Sequence, residues 1–245
     1  MRVIYLAFLC AIACVPAARG DEATDLRDRA MKAHFQNPSD IKKYRTVSIS
    51  AKGTVRSDPE PTPATWEVQA VWPRKMRATY SFGGAATKNV VTMTATDDRG
   101  WIQRGNLAAT DFSIEQITDY WGDAYAIWVA TVTTLGDAEN KLSTAPGVRL
   151  GSDTLLGLKV SRRPWPDVTL YFDSKTSLLR KLAYTSRDAG TQLAKEQFFS
   201  EHKDFGGIRL PTKQTTNVMG TEFFVWKELS FKFPDAIDPK VFAKP

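Results

Sequence analysis

Apolar and polar residues alternate with a period of two through most of this chain, and the runs are broken repeatedly by short polar turns. That period places successive side chains on opposite faces of a strand, so each run has one face to bury and one to leave in water. The spacing predicts strands at Leu158–Arg163, Val168–Phe172, Leu178–Tyr184, Gln192–Glu201 and Glu222–Phe233. Turn clusters such as Asp173-Ser-Lys-Thr176, Arg187-Asp-Ala-Gly190 and Asp204-Phe-Gly-Gly207 separate them. The first half alternates too: Val47, Ile49 and Ala51 share one face, as do Trp66, Val68, Ala70 and Trp72. A Pro-rich loop, Asp58 to Pro63, lies between those two runs. Met76, Ala78 and Tyr80 continue the pattern past Pro73, as do Val91, Met93 and Ala95 before the Asp97-Asp-Arg-Gly100 turn into Trp101. Connections this short build antiparallel hairpins, because parallel pairs need crossovers of roughly a dozen residues or more.

Two segments have helical spacing instead. Leu26, Ala30, Met31 and Phe35 predict a helix over Thr24–Phe35, with Asp21, Glu22 and Asp25 near the end that favours acids, and Asn37-Pro38-Ser39-Asp40 ends it. Ser113 and Gln116 have capping-box spacing. After them Ile114, Ile117, Trp121, Ala124, Trp128, Val132 and Leu135 form an apolar stripe running to Gly136. Burying each large side chain of that stripe contributes about 1.5–3 kcal/mol, so the helix is expected to dock on the apolar face of the sheet.

Residues 1–20 read as a secretory signal: a basic start at Arg2, an apolar run from Val3 to Val15, and Ala18-Arg-Gly20 before Asp21. Residues 21–245 are then expected to form a single exported domain, periplasmic or secreted, with no segment apolar for long enough to span a bilayer. Both cysteines, Cys10 and Cys14, lie in the signal, so the mature chain is expected to fold without disulfides. Lipid attachment at Cys14, after Ala11-Ile-Ala13, is the alternative use of that residue. Net charge is +6, and loss of Arg2 and Arg19 with the signal leaves +4. Lys and Arg are interspersed with Asp and Glu, a solvated mixed surface with no nucleic-acid footprint.

Catalytic patterns are missing from the sequence. There is no Gly-x-Ser-x-Gly elbow and no glycine-rich phosphate loop with its lysine. His34 and His202 are the sole histidines, and the cysteines are confined to the signal, so neither a metal site nor a cofactor is expected. Asp97-Asp98 and Asp25 with Asp28 fit a turn and a solvated helix face. A hydrolase built on carboxylates distant in sequence is a third-ranked alternative.

The order of these elements resembles the LolA/LolB-like family of envelope proteins. The residues that carry the likeness are the Trp66–Tyr80 hairpin broken by Pro73, Asp97-Asp-Arg-Gly-Trp101, the central helix, Asp167-Val-Thr-Leu-Tyr-Phe-Asp173, Leu178-Leu-Arg180, and the tail from Phe233-Pro-Asp-Ala-Ile-Asp to Pro245. The resemblance implies a mainly β, α+β fold: a curved, incomplete antiparallel barrel covered by an N-terminal helix and a central amphipathic helix. It also implies a hydrophobic hollow that binds lipid or a lipidated partner, without catalysis. Trp66, Val68, Trp72, Met76, Tyr80, Trp101, Trp121 and Trp128 are the candidate lining of that hollow. The other reading of the same rings is a solid core, with the domain serving as an interaction module for an envelope protein. In the lipoprotein carrier an arginine that holds the lid precedes the hairpin proline. Here Trp72 takes that place, and Arg74 on the far side of Pro73 does not inherit the role.

Overall fold

The structure is a computed structural model, and it describes residues 19–245 apart from 58, 84–88, 98 and 189; residues 1–18 of the expected signal segment, with both cysteines, lie outside the described residues. Thirteen strands form one open antiparallel sheet. The first arm comprises β1 (Thr46–Val55), β2 (Thr62–Val71), β3 (Lys75–Phe82), β4 (Asn89–Thr96), β5 (Arg99–Arg104) and β6 (Thr110–Asp111). The second comprises β7 (Lys141–Leu150), β8 (Asp153–Ser161), β9 (Val168–Asp173), β10 (Leu179–Asp188), β11 (Thr191–Asp204), β12 (Arg209–Val218) and β13 (Thr221–Lys232). Within each arm every strand pairs with its neighbour in sequence, the pattern that the short turns dictate. The arms join where β1 pairs with β13, from Ser48 opposite Lys232 to Val55 opposite Phe224. Strands β6 and β7 are left as free edges, so the sheet is a half-barrel.

Two helices complete the fold, α1 (Arg19–His34) and α2 (Ile114–Ala130). The capping box forms as spaced: Gln116 N–H donates to Ser113 Oγ at 3.2 Å, and Ser113 N–H donates to Gln116 Oε1 at 2.9 Å. The expected stripe from Ile114 to Leu135 is not one continuous helix. At Thr131 the hydroxyl donates back to the Trp128 carbonyl at 2.6 Å, and Val132 turns left-handed at φ 63° before a short 3-10 turn, Thr133–Gly136. The β-branched run Thr131-Val-Thr-Thr134 resists helical packing, and the threonine hydroxyl competes for the carbonyl. The other end also departs from the stripe, because Ile114 is 86% exposed at the first helical position.

Strands β7 and β12 are not marked by apolar alternation. Strand β12 carries Thr212, Gln214 and Thr216 on its buried face, and β7 is interrupted by Pro146-Gly147 at a bulge. Polar residues at buried strand positions defeat a period-two search, and an edge strand has little to bury.

Two local features pin the arms and α1. Strand β1 slips register against β13 at Lys52/Gly53, where a Cβ on Gly53 would meet the Val225 carbonyl oxygen at 1.9 Å. His34, at the end of α1, is buried between β12 and β10. Its Nδ1–H donates to the Arg209 carbonyl at 2.6 Å, and its Nε2 accepts the Leu179 N–H at 3.0 Å. Burial holds this imidazole down to about 3, and holds neighbouring His202 down to about 4.

Two outcomes follow from those clasps. Gly53→Ala is expected to lower the urea midpoint sharply, because the backbone of β13 must move to admit the methyl group; an unchanged midpoint would show the seam to be compliant. The unfolded chain protonates both histidines near their ordinary 6.5, well before the folded one does. Stability is therefore complete above about pH 6.5 and falls as pH drops toward 3. His34→Leu is expected to lose about 2–4 kcal/mol at pH 7, from two backbone groups left unpaired, and to flatten that acid slope in unfolding curves at pH 7 and 4.

Candidate functional site beneath helix α2

Helix α2 lies across the inner face of the sheet with Ala124, Tyr125, Ala126, Trp128 and Val129 buried beneath it. On the sheet the alternation places Ile49 and Ala51 of β1, Trp66, Val68 and Ala70 of β2, and Met76 and Ala78 of β3 in the same core. Of the eight candidate lining residues, Trp66, Val68, Trp72, Met76 and Trp128 belong to this core, and Tyr80 and Trp121 pack against it half-buried.

Trp101 does not join them. It pairs with Thr94, which pairs with Arg77, and the neighbouring inner positions are Ile102, Met93 and Ala78. Trp101 therefore points to the outer face, where the Arg77 guanidinium sits 6.0 Å from its ring centroid. The C-terminal segment covers that face: Arg77 donates to the Val241 carbonyl at 3.1 Å, and Phe242 is buried. Both faces of the first arm are thus covered there, and adjacent apolar residues such as Trp101-Ile102 carry no signal for which one faces inward.

Four of the contacts that hold α2 in place tie it to both arms. The first is aromatic: Trp72 stacks on Trp128 with ring centroids 5.9 Å apart and 12° between planes. The position that holds an arginine in the resembled carrier thus contributes a flat ring to the helix. Arg162 covers the other side, 5.2 Å from the Trp128 centroid and 5.0 Å from that of Trp165, with Asp137 and Glu139 as its carboxylate partners. The second contact is ionic. Asp123 accepts from Lys195 Nζ at 2.7 and 2.9 Å and from the Tyr184 hydroxyl at 2.8 Å. Burial, with the Asp123 carboxylate, pushes the Tyr184 phenol well above its ordinary range, so it stays a donor. The last two join the first arm: Trp121 Nε1 donates to the Asp97 carbonyl at 3.0 Å, and the Tyr120 hydroxyl donates to the Met93 carbonyl at 3.2 Å.

The volume left beneath the helix is small. A space of about 30 Å³ remains among Ile49, Trp66, Ile127, Ala130, Thr131, Gln197, Phe199, Pro211, Gln214, Leu229 and Phe231. That is room for one water, so in this conformation the expected hollow is occupied by the protein's own side chains. The interior is not fully satisfied, however. Among the described residues the buried indole N–H groups of Trp66, Trp72 and Trp128 have no hydrogen-bond partner, nor does that of Trp101 on the outer face. A far larger cleft, about 1340 Å³, flanks α2 and includes Trp121, Trp128, Trp165, Arg74, Arg187 and Asp119 in its walls. Its lining mixes arginines and carboxylates, so it has no single sign of charge.

The eight candidate lining residues did not include Trp165, Trp226, Gln197 or Gln214. Trp226 extends the aromatic face, stacking on Trp66 at 5.9 Å and on Phe224 at 5.1 Å. The Pro164-Trp165-Pro166 triplet was an available signal for Trp165, whereas a glutamine on a polar strand gives none.

No family model and no curated protein matches the sequence. Solved structures do match the fold. A LolA superfamily protein from Nitrosomonas europaea aligns with TM-score 0.56 and 13% identity, over 91% of this chain and 97% of that one. A DUF1329 family protein from Desulfovibrio piger aligns with TM-score 0.53 and 11% identity, over 90% and 97%. An outer membrane lipoprotein-sorting protein domain from Vibrio parahaemolyticus aligns with TM-score 0.48 and 9% identity, over 91% and 97%. The two alignments with TM-scores above 0.5, with the open thirteen-stranded sheet, show that the chain has the LolA-like half-barrel fold.

The ionic contact of α2 is half-exposed, so its loss should release the helix without unfolding the sheet. Asp123→Asn is expected to weaken α2 docking by about 0.5–1 kcal/mol. Amide exchange across Ile117–Val129 should quicken severalfold while β1, β2 and β13 keep their protection; uniform acceleration of sheet and helix would mean that α2 opens only with global unfolding.

Proposed function

We propose that this protein is an exported, non-catalytic binder of lipid or of a lipidated partner, with residues 1–20 as its secretory signal, and that the apolar chain of the guest lies between α2 and the inner sheet face. The observation that carries this reading is the state of the interior beneath α2. It is mainly apolar and aromatic, it retains a small unfilled space, and the buried indole donors around it lack partners among the described residues. Ligand sites combine such an apolar lining with a few polar groups, and a permanently packed core usually satisfies its donors. The LolA-like fold is consistent with this reading.

Uptake requires α2 to rise, since the free space holds no more than one water. Localised contacts hold the helix, and an ordered set of holdfasts gives two discrete positions, closed and raised. Each methylene buried from the guest contributes about 0.8 kcal/mol toward the raised form. The cleft beside α2, with aromatic walls and mixed charge, would take the polar part of the guest or the polypeptide of a lipidated partner. Its volume exceeds the usual range for a small-molecule pocket, which favours a macromolecular occupant. No step in this cycle calls on a bound cofactor, a metal or a nucleotide.

The test is uptake. Purified protein is expected to carry lipid detectable by native mass spectrometry, and to take up an uncharged fluorescent acyl ester after delipidation. Ile127→Phe fills the remaining space from the α2 side and should reduce uptake at least ~10-fold while the melting temperature moves little. Trp101→Phe, on the outer face, should leave uptake unchanged. A delipidated protein that takes up no acyl probe would leave the interaction-module reading in its place.

A further inference from the structure

The space beneath α2 is not uniformly apolar, and its polar part has a definite composition. Gln197 and Gln214 enter it from β11 and β12, and both are more than nine-tenths buried. Gln214 donates to the Thr216 hydroxyl at 3.0 Å. Trp66 faces the same space from β2, 5% exposed, with its indole N–H unpartnered. Among the described residues no ionisable side chain lines the space. The nearest cation on that face of β11, Lys195, is engaged by both oxygens of Asp123.

Resting on the acyl-chain reading above, we infer that this space seats an uncharged carbonyl-bearing group of the guest, an ester or an amide. The indole N–H of Trp66 and the side-chain amides of Gln197 and Gln214 supply the donors. The chemistry follows from what each candidate group would meet. A hydrocarbon placed here would leave the buried indole donor of Trp66 unpaired. A carboxylate would enter a low-dielectric space with no counter-charge free to receive it, a larger penalty than burying a neutral dipole. A neutral carbonyl satisfies the donors and brings no charge. An indole N–H only donates, so the partner on the guest must be an acceptor, whereas a glutamine amide can rotate to suit either role.

The position also makes sense of α2. Ile127, Ala130 and Thr131 form the ceiling of the space, and Thr131 has already committed its hydroxyl to the Trp128 carbonyl and to Thr133. The ceiling therefore offers the guest no competing donor. The hydrogen-bonding seat belongs to the sheet and stays fixed as the helix rises, so the carbonyl sets the depth at which the attached chain comes to rest.

The experiment uses the full folded protein after delipidation and measures displacement of bound N-phenyl-1-naphthylamine by methyl decanoate and by undecane, ligands of similar length with and without a carbonyl. Trp66→Phe removes the N–H and keeps a ring; Gln197→Leu removes the amide at similar size. Each is expected to weaken displacement by methyl decanoate by about threefold to tenfold, the worth of one hydrogen bond, and to leave undecane unchanged. Circular dichroism melts confirm that both variants fold. If both ligands weaken together, or neither does, the carbonyl seat is overturned while the acyl-chain reading stands. If neither ligand displaces the dye from the unaltered protein, both fall.

Discussion

The pairing of β1 with β13 is the constraint on which the rest of this molecule depends. The chain builds one arm of hairpins, crosses through α2, and builds a second, and without that pairing the arms would be two separate sheets. Each would then present an apolar face with nothing opposite it. The seam makes the two inner faces continuous, so that a single helix can cover both. It also brings Trp66 of β2 and Trp226 of β13 into ring contact across β1, over the glycine where the register slips. A side chain at Gly53 would collide with the backbone of β13, and the close approach of the strands there is what allows the aromatic rings to stack.

Helix α2 belongs to both arms and fully to neither. Its ring contact with Trp72 and its hydrogen bonds to Asp97 and Met93 reach the first arm, while Asp123 reaches Tyr184 and Lys195 of the second. Apolar burial supplies most of the docking energy, and the polar contacts fix the position at which it is realised. Polar contacts at a water-accessible margin contribute little each, since water can replace them. A helix held in this way is firmly placed at rest and inexpensive to release locally, a combination suited to a cover over an interior with unpaired donors.

Part of the core beneath α2 was legible because strand periodicity is a local property. Trp66, Val68 and Met76 read as one face from spacing alone, and they share one core. Ser113 and Gln116 announced the start of α2 because a capping box needs nothing beyond four consecutive residues. Trp101 was misplaced for the opposite reason. Its inward or outward direction depends on the register of β5 against β4 and on a C-terminal segment that returns to cover the outer face. Gln197 and Gln214 were invisible because a buried glutamine and an exposed one look alike in a sequence, and only the strands opposite decide which it is.

The sequence by itself determined the antiparallel hairpin order, the two helices and the aromatic content of the interior, because turns, caps and two-residue alternation act between near neighbours. The tertiary structure alone decided that the ends of the domain pair at its centre, that α2 stops at Thr131 and seals the hollow to about 30 Å³, and that Trp66 and two glutamines line one space. These are contacts between residues far apart in the chain. Their free energy depends on which surfaces meet and what each has left unsatisfied, and no local pattern records that.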